Sequence, residues 1–374
     1  MKGYQLLIAA LLLGVLSAFA LDVSDKMADF EVYWRGASRA AAAEPLYRAD
    51  DEHYQFKYLP AFAVLTIPLS FVSLPAAKVG WFTGSAALLA MFIWISLRLL
   101  PERRRPAALL ALSAVVVLGK FFGHELILGQ VNILFGVLAA SAFLAMRAGH
   151  EPLAGALIAL TIAIKPYGVL FLPWLAARRR LPSIAAAIAT SFVVALLPVA
   201  IYGLGETIAL HRAWWDTVTG STPSNLLNPD NVSFASMWVK WLGAGVLANT
   251  LAVAAAVATV GAATWVFVRR GGMAFPEALE GSLLLMMVPL LSPQGWDYVL
   301  LLTAPGIVLL ANYADRLPAG LRVAAIVAAL TMGLSLFDAV GREAYAAFMK
   351  TAAISVCACV LIAAVCSLRL RRVA

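Results

Sequence analysis

Apolar stretches of spanning or near-spanning length recur from one end of the chain to the other, and nothing else in the sequence constrains its fold as strongly. They cover residues 4–21, 79–99, 106–121, 133–147, 153–164, 167–177, 181–203, 244–268, 279–291, 298–314, 319–337 and 351–368. A membrane helix needs roughly 20 predominantly apolar residues, so about twelve helices are expected. With 63% hydrophobic and 13% charged residues, a soluble fold would leave large apolar patches in water. The expectation is an all-α polytopic membrane protein, a single integral membrane domain over residues 1–374. A further apolar stretch, 59–74, is broken by Pro60 and Pro68 and followed by Pro75. It reads as interfacial or re-entrant, a backbone tolerated where protein or water covers it.

Basic clusters set the orientation. Arg103 to Arg105, Arg178 to Arg180, Arg269 with Arg270, and Arg369 with Arg371 and Arg372 all fall on one side of a twelve-span arrangement, and such clusters stay cytoplasmic. Both termini are then cytoplasmic. The net charge of +8 is a topology signal, and nucleic-acid binding is not needed to explain it. Lys2, the apolar run 6–16 and Ala18-Phe19-Ala20 also fit a cleavable signal peptide, although either reading puts the residues after Leu21 outside. Sparing use of Lys relative to Arg suggests a GC-rich bacterial genome, hence the cytoplasmic (inner) membrane.

Cys357, Cys359 and Cys366 share the last apolar run and read as packing residues. His53, His124, His150 and His211 are scattered singly, so no metal site is expected, nor any other cofactor. The long outer segments carry more information: a first outer loop at 22–78, which includes the re-entrant stretch, and a second at 204–243. Long loops in a membrane domain are usually functional. In the first, Asp29, Tyr33 and Gly36 fall at spacings of four and three and share one face of a surface helix, which Tyr33 and Trp34 would anchor at the interface. The simplest reading of Asp29 alone is an acid in the first turn of that helix, favoured by the helix dipole.

Several pieces of sequence in order change that reading. Asp29-Phe-Glu-Val-Tyr33, Leu46-Tyr47, Phe56-Lys-Tyr-Leu-Pro60 and the 67–75 stretch are followed by Leu128-Gly-Gln-Val-Asn132, the 154–166 stretch ending in Lys165-Pro166, Asn231-Val-Ser233 and Leu291-Ser-Pro-Gln-Gly-Trp-Asp297. Together they resemble glycosyltransferase family 87, of the GT-C class, which includes polyprenol-phosphate-mannose-dependent α-mannosyltransferases. The resemblance implies a membrane glycosyltransferase that moves a sugar with inversion from a polyprenyl-phosphate donor to a lipid or glycan acceptor, with its active site on the outer, periplasmic side. It implies that Asp29 is the catalytic base, taking the proton of the acceptor hydroxyl. The departing lipid phosphate needs no general acid.

That phosphate does need positive charge beside it, and Lys165, Lys57, Arg35 and Arg212 are the outer-side candidates. Lys165-Pro166 interrupts an apolar stretch and makes a buried tip, though a lysine there also snorkels to water, and Arg35 is spaced to pair with Glu31. Sugar and acceptor contacts are expected from Tyr33, Tyr58, Gln130, Asn132, Asn231, Trp296 and Asp297. Asn132 equally suits a helix cap. The family's mannosyltransferases carry His where this chain has Tyr298 and Val299, which leaves the sugar open. Two other classes also suit about twelve helices with proline breaks: a transporter or flippase, and a non-catalytic scaffold, polymerase or ligase of the same fold. Neighbouring genes for polysaccharide or lipid glycosylation would favour transfer over transport.

Overall fold

The computed structural model describes residues 26–269 and 275–370, together with Ser17. Apart from Ser17, the first predicted span lies outside the described residues, as do Asp22, Asp25, Arg270, Arg371 and Arg372. Among the described residues the secondary structure is helical, and one isolated antiparallel bridge joins Asn231 to Trp296.

In chain order, α1 (Ala28–Ala41), α2 (Pro60–Leu65), α3 (Leu74–Arg98), α4 (Ala107–Leu128), α5 (Asn132–Arg147) and α6 (Glu151–Ile164) lead to α7 (Phe171–Ala177), α8 (Leu181–Leu196) and α9 (Val199–Asn225). Then come α10 (Phe234–Leu242), α11 (Val246–Val268), α12 (Pro276–Leu291), α13 (Ala304–Asn312), α14 (Ala319–Leu334), α15 (Phe337–Val340), α16 (Arg342–Lys350) and α17 (Ala353–Leu370). Proline opens many of them. Pro60, Pro75, Pro152, Pro182 and Pro276 each occupy one of the first two helical positions, where the missing N–H costs nothing.

Four helices, α3, α4, α11 and α17, are long and apolar enough to cross a membrane, and the bent pair α8 and α9 makes a fifth if counted as one span. The other predicted runs among the described residues fold as shorter apolar helices, several of them interrupted. The run 167–177 is a 3-10 turn (Pro166–Leu170) followed by α7, and the run 298–314 is a 3-10 stretch (Asp297–Thr303) followed by α13. The predicted loop at 204–243 is mostly helix. The chain bends by 94° between α8 and α9, after which α9 runs to Asn225 with a kink at Gly203. The first outer segment holds α1, a 3-10 turn (Ala49–Tyr54), α2 and a second 3-10 turn (Ile67–Phe71). Leu65, Phe71 and Val72 there remain exposed.

Helix α12 is buried on every side and packs at the centre of the bundle, so the charges it carries must be paired. Its two glutamates face arginines from the α7–α8 turn. Glu280 accepts from Arg178 and from the Trp174 indole at 2.8 Å, and Glu277 accepts from Arg180, which also pairs with Glu151. By contrast, α8 and α11 expose Ile188, Phe192, Val253 and Val257, a surface suited to lipid and not to water. A second core gathers α1, α2 and α3 around Phe30, Tyr33, Phe56, Phe62 and Phe82.

Helices α6 and α8 pack with their backbones in contact at Gly155. A Cβ there would lie 2.0 Å from the carbonyl oxygen of Ser183, a backbone atom that cannot swing aside. Gly155→Ala is therefore expected to cost about 1–3 kcal/mol by overpacking. Gly119→Ala on α4, where nothing lies within 4 Å, should be neutral or gain up to about 1 kcal/mol. Thermal unfolding in detergent distinguishes them, and equal losses would contradict this packing.

Candidate active site

The site is assembled at the end of α4. Gly129 follows the helix with φ 71°, a left-handed conformation that favours glycine, and a Cβ there would lie 2.6 Å from the Phe30 side chain and 2.7 Å from that of Met27. The Met27 N–H donates to the Ile127 carbonyl at 2.9 Å. These contacts dock the start of α1 against the end of α4. Asp29, in the first turn of α1, is thereby held beside Gln130.

The Gln130 side chain joins the groups that the sequence kept apart. Its Nε2 donates to Asp29 Oδ2 at 2.7 Å and to the Tyr298 hydroxyl at 3.2 Å. Its Oε1 accepts from Lys165 Nζ at 3.0 Å and lies 3.2 Å from both the Tyr33 and Tyr58 hydroxyls, of which one donates to it and the other to its neighbouring hydroxyl. Tyr33 and Tyr58 also share a 2.7 Å hydrogen bond. Gln130 and Lys165 are buried, while Asp29 and Tyr58 are half-buried. Burial raises the Asp29 carboxyl above the ordinary carboxylate value, opposed by the Gln130 hydrogen bond and then by the charges of Lys165, His124 and Lys57.

Lys165 owes its position to the break after α6. The residue is extended (φ −145°, ψ 137°) before Pro166 starts the 3-10 turn. The ammonium turns inward and does not snorkel. It lies over the rings of Tyr58, Tyr167 and Tyr298 at 5.7–5.8 Å, a distance at which ring faces attract a cation. Tyr33, expected as an interfacial anchor, is instead fully buried, boxed edge-on by Tyr58, Phe62 and Trp81. Its ring fills the second core and its hydroxyl completes the polar centre.

A second polar cluster adjoins the first through Tyr298. Asp297 is fully buried, with Oδ1 2.9 Å from His124 Nδ1 and Oδ2 3.5 Å from Lys120 Nζ. The His124 ring stands edge-on to Tyr298 with centroids 5.2 Å apart, and Trp296 stacks over the other side at 6.4 Å. Backbone bonds from Val232 to Gly295 (2.7 Å) and from Asp297 to Asp230 (2.8 Å) fix this wall. Asn231 locks it further, donating to the carbonyls of Asn225 and Pro293 and accepting from Ser233 N–H.

The remaining expected residues sit apart from the Gln130 centre. Asn132 is buried in the first turn of α5 and donates to Glu125 at 2.7 Å, while Glu125 also accepts from the Ile133 N–H. The cap of α5 is thus the Glu125 carboxylate, placed where the helix dipole favours it. Arg35 is paired with Glu31 and lies over Tyr54. Lys57 is half-buried, its ammonium lowered by burial against the attraction of Asp29, and Arg212 is exposed on α9. Sequence reading gave no role to Lys120, inside the apolar run 106–121, nor to His124 and Glu125 just past its end. Ionisable residues four apart inside an apolar helix were the available signal. Among the described residues no group of three or more His, Cys, Asp or Glu side chains is placed to hold a metal ion.

An all-α membrane fold with a buried carboxylate, amide and ammonium at the ends of its helices is the class this architecture defines. The sequence profile of glycosyltransferase family 87 matches residues 56–293, more than half of the chain, and the chain belongs to that family. It is a membrane glycosyltransferase. No curated protein and no solved structure matches it. Lys57, Tyr58, Lys120, His124, Gln130, Lys165 and Asn231 fall inside the matched stretch, whereas Asp29 and Tyr33 precede it and Trp296, Asp297 and Tyr298 follow it. The hydrogen bonds of Gln130 are what attach Asp29 to the family region.

Removing that amide tests the attachment. Because the Gln130 hydrogen bond lowers the Asp29 carboxyl, Gln130→Ala should let it rise further, and the acidic limb of transferase activity should move to higher pH. Loss of the shared bonds should also cost about 1–3 kcal/mol of stability. An acidic limb that stays in place would separate Gln130 from the titration of Asp29.

Proposed function

We propose that the enzyme transfers a hexose, mannose or a related sugar, from a polyprenyl-phosphate donor to a lipid or glycan acceptor, with inversion, at the outer face of the bacterial cytoplasmic membrane. The observation that carries this reading is that Asp29 and Lys165 hold opposite atoms of one amide, Gln130. A base and a cation a few ångströms apart suit a displacement whose nucleophile loses a proton as its leaving group gains charge.

In this reading the acceptor hydroxyl oxygen attacks the anomeric carbon of the donor. The new carbon–oxygen bond forms as the bond from that carbon to the phosphate oxygen breaks. The hydroxyl proton passes to Asp29, and the bonding pair leaves with polyprenyl phosphate. Burial, by raising the Asp29 carboxyl, brings its basicity closer to the working pH. Lys165 meets the growing charge on the phosphate, and Lys57, outside the Gln130 hydrogen bonds but near enough to act electrostatically on Asp29, is a second cation. Trp296, stacked on Tyr298, offers a flat apolar face of the kind sugars pack on, and Tyr58 offers a hydroxyl. Asn132, Asn231 and Asp297, all fully buried, hold the surrounding backbone and side chains in place, and Arg35 and Arg212 lie further out.

Asp29→Asn keeps size and hydrogen bonding while removing basicity. It should insert and unfold like the parent yet lose 10² to 10⁴ in rate, roughly 3–5 kcal/mol, and turnover above about a tenth of the parent rate is incompatible with a base. Lys165→Ala should raise the KM for the donor more than that for the acceptor, and equal effects would make it structural. Orientation is tested in a background lacking Cys357, Cys359 and Cys366. A cysteine replacing exposed Glu44 should react with an impermeant thiol reagent from outside, and one replacing exposed Glu102 should not. The reverse pattern would overturn the outer-face assignment.

A further inference from the structure

At the opposite end of the same helices a pocket of about 560 Å³ opens between the end of α3, the connection into α4 and the end of α5. Its polar lining is three arginines, Arg98, Arg103 and Arg147, and its apolar walls include Trp94, Leu97 and Leu144. Arg98 lies over the Trp94 ring at 5.5 Å. Arg147 lies over the Phe275 ring at 4.9 Å and donates to the Arg98 carbonyl at 3.3 Å. Among the described residues none of the three forms an ion pair, whereas the adjacent Arg104 is held bidentately by Asp315.

We propose that this pocket binds the headgroup of an anionic phospholipid. Three guanidinium groups around one cavity repel one another unless an anion sits among them, and a phosphodiester suits their planar donor pattern. The walls point to a lipid and not to a free anion: Trp94 and Met91 on α3 are 54% and 40% exposed, giving acyl chains an apolar track leading away from the arginines. Position agrees with this. The pocket is separated from Gln130 by the length of α4, whose 22 residues rise about 33 Å, a hydrocarbon thickness. The arginines therefore lie at the headgroup layer of the leaflet opposite the catalytic centre. The site is independent of the transfer reaction, and its failure would leave that assignment intact.

Native mass spectrometry of the full chain released from mixed micelles of phosphatidylglycerol and phosphatidylcholine tests it. The parent protein should retain phosphatidylglycerol preferentially. The triple variant Arg98→Gln, Arg103→Gln, Arg147→Gln should lose that retention by on the order of a hundredfold, and the matching triple Lys variant, which keeps the charge but not the planar fork, should fall between it and the parent. Equal retention of both lipids by the parent, or undiminished phosphatidylglycerol on the Gln variant, would overturn the proposal. So would displacement of the lipid by millimolar inorganic phosphate, which would mark a free-anion site. Should the triple Gln variant fail to fold, the two-lipid comparison on the parent and on Arg103→Gln, which alters an exposed connecting residue, decides the matter.

Discussion

The Gln130 amide carries the arrangement on which the rest of the polar centre depends. Among the described residues neither Asp29 nor Lys165 has an ion-pair partner in direct contact there, and each is instead satisfied by one end of the same side chain. An amide can do this because it offers donors and an acceptor on one rigid plane. The two tyrosine hydroxyls that share its oxygen and the third that meets its nitrogen close the coordination. A carboxylate and an ammonium in direct contact would neutralise one another and leave little for a substrate. Separated by an amide, each keeps its reactive side.

That amide stays in place because the structure around it is over-determined. Gly129 turns the chain out of α4, Glu125 caps α5 from within α4, and the Met27 N–H ties α1 to the same turn. Between them these contacts fix Gln130 from both sides of its own backbone. The opposite end of the bundle is tied by charge, with Arg178 and Arg180 reaching Glu280, Glu277 and Glu151 across three helices. Buried pairs of this kind add little net stability but are costly to break, so they serve to fix how α6, α8 and α12 sit against one another.

Much of this was legible in the sequence. Apolar run lengths gave the helical membrane class, the spacing of Asp29, Tyr33 and Gly36 gave the shared face of α1, and Lys165-Pro166 gave the buried tip. What the sequence could not convey was tertiary. Tyr33 reads as an interfacial anchor until Tyr58, Phe62 and Trp81 are seen to enclose it, and Asn132 reads as a cap until Glu125 is seen to take that role. The 204–243 segment reads as a loop because its polar residues break the apolar pattern, yet α9 persists through them. Lys120 and His124 were overlooked for a different reason. Lys120 falls inside the apolar run and His124 just past its end, and what gives both a role is Asp297, distant in sequence, which meets them only in the fold.

Helix α4 presents Lys120 and His124 to Asp297, and the left-handed turn at Gly129 that ends it delivers Gln130 to Asp29 and Lys165. It thus acts as a gauge rod with two marks cut into it. Each residue added to an α-helix rotates one side of the insertion against the other by about 100° and shifts it by about 1.5 Å. A single insertion between His124 and Gln130 would leave one mark aligned and throw the other off its partner. A change of length in this turn is therefore expected to break one of the two sets of contacts, whereas apolar replacements at Leu112 and Val116, exposed on the same helix, touch neither.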